Sequence, residues 1–260
     1  MDHEKLLHWS KFKPKHVRQF IAQLNRQQLS ARTIHRYLSS LRSFFRYLIR
    51  EGIVDDNPAQ AVQAPKVKKR LPSTLDVDQV FGLLDHISQD SFINCRDRAM
   101  LELFYSSGLR LAELAALNCL DVDLVDQLAY VTGKGDKKRV IPIGNQAIEA
   151  IKVWLQRRDE AGLFSQSALF VTKQGGRLGV RSIQKRVHYW GKRQGISDHV
   201  HPHRLRHAFA SHMLESSGDL RAVQELLGHA DISTTQVYTH VDFQHLAKVY
   251  DATHPRAKNK

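Results

Sequence analysis

Apolar residues near the start of the chain recur at helical spacing. In KPKHVRQFIAQLNRQQ, Val17, Phe20, Ile21 and Leu24 fall three and four residues apart, which lines them along one face of a helix. Pro14 suits the first turn, where the N–H it lacks would have no partner anyway. A second stripe, Ile34, Leu38, Leu41, Phe45 and Leu48, predicts a helix from Ala31 to Arg50, with Gly52 as its stop signal. The stretch QAPKVKKRLP then breaks the pattern with two prolines, four basic residues and no stripe, and reads as a linker. Beyond it the spacing predicts helices near 76–88, 94–107, 111–117, 145–160, 180–193, 204–216 and 219–227. LAYVT and KRVIPI alternate around the Gly-rich GKGDK and predict two strands of a hairpin, and ALFV at 168–171 reads as a third strand. The expected fold class is therefore mainly α with a small β-sheet or hairpin. A small all-α unit at 1–64 is joined by a basic linker at 65–72 to a larger unit at 73–260.

Charge narrows the class of partner. The 260 residues hold 39 Lys and Arg against 26 Asp and Glu, a formal net charge of +13, and the pI is near 9.9. A folded chain this basic points to a polyanion, with nucleic acid first and an anionic membrane surface second. No apolar run approaches the ~20 residues that span a bilayer, and MDHEKLLHWSK does not have the make-up of a signal peptide. The second helix carries Arg32, Arg36, Arg42, Arg46 and Arg50 off its apolar stripe, with Glu51 the one acid nearby. That reads as a surface facing phosphates. Cys95 and Cys119 form no CxxC pair or disulfide framework and read as small buried hydrophobes in a reducing cytoplasm.

Candidate chemistry sits at the starts and tips of the expected elements. Arg110, in SGLRLAEL, follows Gly108 and opens a helix, so its side chain and the helix N-terminus would both favour a phosphate. Lys134 stands at the hairpin tip between Gly133 and Gly135. In HVHPHRLRHAFASH, His203 and Arg206 are three apart at a helix start and share a face. In LLGHADISTTQVYTH, His229 follows a helix-ending glycine and Tyr238 comes nine residues later. Taken singly, each has an ordinary reading: a solvated arginine, a turn lysine, a half-buried tyrosine. The ordered set is far more specific.

GLRLAE, GKG, HRLRH, LLGH and YTH, in this order and at these separations, resemble the tyrosine site-specific recombinases of the phage integrase type. The stretches MLESSGDL, VQELLGH and VDFQHLAKVYDATHPRAK extend the resemblance, within that family, to its bacterial Xer branch. The resemblance implies the DNA breaking-rejoining fold, with a small all-α core-binding domain clamping DNA before the catalytic domain. It implies catalytic roles for Arg110, Lys134, His203, Arg206, His229 and Tyr238, with neither metal nor cofactor nor ATP. It also implies a double-stranded DNA recombination site as substrate and a heterotetramer on two such sites with a XerD-like recombinase. A DNA translocase would serve as activator, chromosome dimers would be resolved, and the tail after Tyr238 would dock on another protomer. Members of that branch carry a further helix before the point where this chain begins, so a partial clamp is expected.

The chemistry of a phosphodiester gives each of the six a task. Tyr238 is a phenol of ordinary pKa about 10 and needs help to lose its proton. Arg110 and Arg206 suit the two non-bridging oxygens, whose charge grows in the transition state. Lys134 can protonate the departing 5′ oxygen, His203 can take the tyrosine proton, and His229 can hydrogen-bond a phosphate oxygen. Other classes stay open at this point. One is a metal-dependent phosphoesterase built on His199, His201, His203, His207 and His212, although no carboxylate lies within that cluster. A second is an inactive or accessory DNA-binding form with a shortened N-terminus. A topoisomerase would share the tyrosine chemistry.

Overall fold

A computed structural model describes residues 8–66, 74–133, 138–163, 166–196, 200–228 and 249–257. The chain divides into two compact units, Met1–Pro72 and Ser73–Lys260.

In the first unit, helices α1 (Pro14–Arg26) and α2 (Ala31–Arg50) follow a short 3-10 turn at Trp9–Lys11. Ser30 caps α2 by accepting the N–H of Thr33 at 3.2 Å. At its far end Gly52, with φ of 67°, donates to Ile49 O, and Ile53 donates to Leu48 O. The left-handed residue closes the last turn as the sequence predicts. Val17, Ile21 and Leu24 meet Ile34, Leu38, Ala59 and Val62, while Phe45, Leu48 and Val54 form a second small cluster. Phe20 and Leu41, expected on the stripes, are only half-buried. Of the five arginines on α2, Arg42 does not face outward. It donates to Ala59 O at 3.1 Å and to Val62 O at 2.7 Å and holds the segment after the helix against it. The other four are exposed.

The second unit is built around α4 (Phe92–Ser107), which packs against α6 (Asn145–Glu160) and α8 (Pro202–Ser217). It is buried on nearly every face from Cys95 to Ser107, including Arg96, Asp97 and Glu102. Asp97 is tolerable there because Arg96, Arg186 and the Trp190 indole N–H, at 2.9 Å, all donate to it. Around this core stand α3 (Val77–Asp85), α5 (Leu111–Ala116), α7 (Val180–Arg193) and α9 (Leu220–Leu227). The sheet has order β1-β2-β3 and is antiparallel, with β1 Val122–Asp123, β2 Leu128–Thr132 and β3 Lys138–Pro142. The hairpin pairs Leu128 with Pro142 at its base and Thr132 with Lys138 at its tip.

Two expectations are corrected. ALFV at 168–171 is buried but bends at Leu169 and Phe170 and makes only isolated bridges at Ala168 and Val171, so the third strand is β1. Two of its carbonyls are taken by side chains, Leu169 O by the Trp154 indole at 2.8 Å and Val171 O by Arg96 at 3.2 Å. Cys95 is buried, but Cys119 is only half-buried, on a surface 3-10 turn where its sulfur accepts from Arg158. Of the tail expected to dock on another protomer, the described residues 249–257 belong to the second unit. There Tyr250, His254, Arg256 and Ala257 are buried, and Tyr250 and Ala257 join the main core.

Candidate active site

Helix α4 ends at Gly108, which takes the left-handed conformation at φ 56°. A Cβ there would sit 2.3 Å from Cδ1 of Phe209, so only glycine lets the chain pass this close to α8. Two residues later Arg110 stands as the N-cap of α5. Its Nη1 donates to Glu113 Oε1 at 2.9 Å, its Nη2 donates to the Gly228 carbonyl at 2.8 Å, and its backbone N–H donates to Glu113 Oε2 at 2.8 Å. The N-cap N–H of α5 is thus taken by the Glu113 carboxylate.

Glu113 has a second cationic partner. Arg139 of β3 donates from Nη1 to Oε1 at 2.7 Å and from Nη2 to Oε2 at 2.9 Å, a two-pronged ion pair. Burial pushes the Glu113 carboxyl up. Hydrogen bonds from Arg139 and the Arg110 backbone outweigh it and hold the group at about 2.

Arg206 rises from the second turn of α8. It donates to Gly108 O and, at 2.7 Å, to Leu227 O. Burial lowers its pKa to about 10, helped by the nearby Arg110, so it remains charged at neutral pH. Three guanidiniums therefore gather around one carboxylate and the C-terminal ends of α4 and α9. The carbonyls at those ends carry partial negative charge and hold the cations in place.

His203 lies three residues before Arg206 on α8 and is exposed. His201 caps the helix, its ring accepting the Arg204 N–H at 3.3 Å. Among the described residues no three His, Cys, Asp or Glu side chains group as a metal site would need. His212 is instead buried between the Tyr105 hydroxyl and Leu75 O, each 2.9 Å away, whereas His203 and His207 are exposed. Lys134, His229 and Tyr238 lie outside the described residues. Among the described helices none is long and apolar enough to cross a membrane.

The sequence reading missed Glu113 and Arg139. A signal for both was present. Glu113 is one turn after Arg110, and Arg139 alternates with Ile141 on the side of β3 facing the core, opposite Val131. An arginine on an inward strand position needs an acid.

The model of the phage integrase family matches residues 73–245, and that of the phage integrase N-terminal SAM-like domain matches residues 1–52. The chain belongs to the phage integrase family. It is 53% identical over its whole length to the tyrosine recombinase XerC of Stutzerimonas stutzeri, 86% of which is covered. It is 54% identical over 97% of its length to the XerC of Alcanivorax borkumensis, covering 83% of that protein. Among solved structures, XerA recombinase matches with a TM-score of 0.57 at 27% identity, over 95% of this chain and 85% of that one. XerH bound to a palindromic difH substrate matches in fold with a TM-score of 0.70 at 24% identity, over 94% of this chain and 73% of that one. The chain is a tyrosine recombinase of the XerC type, an enzyme that cleaves and rejoins DNA by transesterification.

Proposed function

We propose that this recombinase exchanges strands at a chromosomal recombination site with Arg110, Lys134, His203, Arg206, His229 and Tyr238 as its catalytic set. The observation that carries the reading is the gathering of Arg110 and Arg206, from elements far apart in sequence, at one electropositive point beside the exposed His203. The substrate is duplex DNA, as in the XerH and Tn1549 integrase complexes of the same fold.

In this reading the Tyr238 phenol oxygen attacks phosphorus and passes its proton to His203. Arg110 and Arg206 hold the two non-bridging oxygens, with His229 donating to one of them. The bond from phosphorus to the 5′ oxygen breaks, and Lys134 protonates that oxygen as it leaves. The product is a 3′-phosphotyrosyl DNA and a free 5′ hydroxyl. One phosphodiester replaces another, so a hydroxyl from a second duplex reverses the step with no outside energy source. The enzyme works in a heterotetramer with a XerD-like partner on two sites, under a DNA translocase activator, to resolve chromosome dimers. The excess of XerC proteins among its relatives supports that placement.

A nicked duplex bearing the host's dimer-resolution site tests the nucleophile. The unaltered chain is expected to give a covalent protein–DNA band on a denaturing gel. Tyr238→Phe is expected to bind the duplex and give no band. A band from Tyr238→Phe would overturn the assignment.

A further inference from the structure

We propose that Arg139 is a positioning residue for DNA cleavage, acting through Glu113 to orient the Arg110 guanidinium and keep its charge available to the scissile phosphate. The inference rests on the reading of Arg110 as a phosphate clamp.

The geometry runs from a buried anchor to a working end. The Arg139 and Glu113 side chains are 8% and 4% exposed, whereas that of Arg110 is 43% exposed. Arg139 donates to both carboxylate oxygens in a fork, which fixes the plane of Glu113. The same two oxygens receive Arg110, one through Nη1 and the other through its backbone N–H. With the carboxylate plane fixed, the direction of the Arg110 fork is fixed as well.

Charge argues the same way. A lone Arg110–Glu113 pair would be neutral, and a phosphate approaching it would meet a compensated dipole. The second guanidinium leaves the cluster with a net positive charge, so Arg110 keeps its pull on an anion. Arg139 also touches the segment leading to His229. A Cβ on Gly228 would sit 3.0 Å from Arg139 Nε, and the Gly228 carbonyl takes Arg110 Nη2. Arg139 Nε itself is buried with no hydrogen-bond partner among the described residues. A residue kept only for stability would more simply be an apolar side chain, since a buried ion pair contributes little net stability.

The test compares the full chain with Arg139→Met, Arg139→Lys, Glu113→Gln and, as reference, Arg110→Ala. Folding is checked by thermal melting and duplex affinity by gel shift. Single-turnover cleavage is then measured on a nicked duplex with an ordinary scissile phosphate and on one with a neutral methylphosphonate there. The methylphosphonate has one charged oxygen fewer and needs one guanidinium less. Arg139→Met is expected to bind duplex normally and cleave the phosphate roughly tenfold to a hundredfold slower, the scale of a misplaced catalytic donor. On the methylphosphonate its rate relative to the unaltered chain should recover most of that loss, as should that of Arg110→Ala. Arg139→Lys, which keeps the charge but not the fork, should fall between. If Arg139→Met does not fold, Arg139→Lys and Glu113→Gln carry the same comparison. Equal defects on both substrates, or a lower melting temperature with unchanged cleavage, would overturn the proposal. Absence of relief for Arg110→Ala itself would instead remove the clamp reading beneath it.

Discussion

Replacing Tyr250 with alanine separates a tail that belongs to its own domain from one that serves only a neighbour. Tyr250 is 1% exposed, stacks on His254 with ring centroids 4.9 Å apart and interplanar angle 10°, and sits beside Gly144 at the start of α6. A buried tyrosine removes roughly 150–250 Å² from water. At about 25 cal/mol per Å² that corresponds to ~4–6 kcal/mol as an upper bound. Truncations of large aromatic side chains in cores cost about 3–5 kcal/mol. The cavity would open against His254 and the α6 start, so the loss should fall within that range. For a unit of this size each kcal/mol lowers the midpoint by about 2–4 °C, so a fall of roughly 10 °C is expected. The assay is urea and thermal unfolding of the isolated chain, repeated over a hundredfold range of protein concentration. Tyr250→Phe should retain most of the stability. A Tyr250→Ala chain that unfolds with the unaltered one at every concentration would refute the packing argument. It would also mean that the tail contributes only between protomers. The same burial implies that removing residues 242–260 unfolds part of the catalytic unit, rather than leaving an intact domain that merely fails to assemble.

Two other outcomes follow from the packing. Gly108→Ala places a methyl 2.3 Å from the Phe209 ring on a left-handed residue; a loss of at least ~2 kcal/mol is expected from strain and overpacking together. Because Gly108 O anchors Arg206, cleavage should also slow at temperatures where the variant remains folded, and unchanged melting would refute the clash. His254 gives a pH signature. Burial, then the nearby His212, lowers its pKa to about 3, below the ~6.5 of an unfolded histidine. Its contribution is therefore intact above about 6.5 and is lost as the pH falls toward 3, by at most about 1.4 kcal/mol per pH unit. Glu102, pushed up to about 7 chiefly by burial, acts oppositely and favours folding as the pH falls through 7. Denaturant midpoints of His254→Phe and the unaltered chain at pH 7.5, 6.5 and 5.5 should draw together or cross as pH falls. Parallel midpoints would refute the shift.

Local chemistry decided which elements were legible in the sequence. LAYVT is β2 residue for residue because its alternation, Ala129 and Val131 inward with Tyr130 and Thr132 outward, is followed in the sequence by the Gly-rich GKGDK. Helix α8 starts earlier than its apolar spacing predicts, since Pro202 and the His201 cap set its start rather than the first apolar residue. ALFV misled because four buried residues in a row look like a strand from either side. What decides is whether a neighbouring backbone or side chains take the carbonyls, and that partner is remote in sequence. In the candidate site, Arg110 and Arg206 were singled out by their places at helix starts together with the motif resemblance. The pairing of Glu113 with Arg139 was not, because it joins a helix to a strand 26 residues on. Lys134, His229 and Tyr238, picked out by the same reasoning, lie outside the described residues.

The arrangement around Arg110 and Arg206 also accounts for an apparent contradiction. Crowding three guanidiniums in a partly buried place is unfavourable, and the pKa of Arg206 is lowered first by burial and then by the neighbouring Arg110. Glu113 compensates one charge, and the carbonyls of Gly108, Leu227 and Gly228 offset part of the rest through the negative ends of α4 and α9. Those carbonyls are neutral groups, so they orient the cations without cancelling them. The left-handed glycines at both helix ends turn the chain so that these oxygens face the arginines. What remains is an excess of positive charge held in fixed directions. In the proposed catalytic role, an arriving phosphate would relieve it, and the more negative phosphorane-like transition state would relieve it further. Preorganised dipoles and charges that gain more from the transition state than from the ground state lower the barrier. A fully compensated set, with a second carboxylate in place of the carbonyls, would be more stable and would have much less to offer the reacting phosphate.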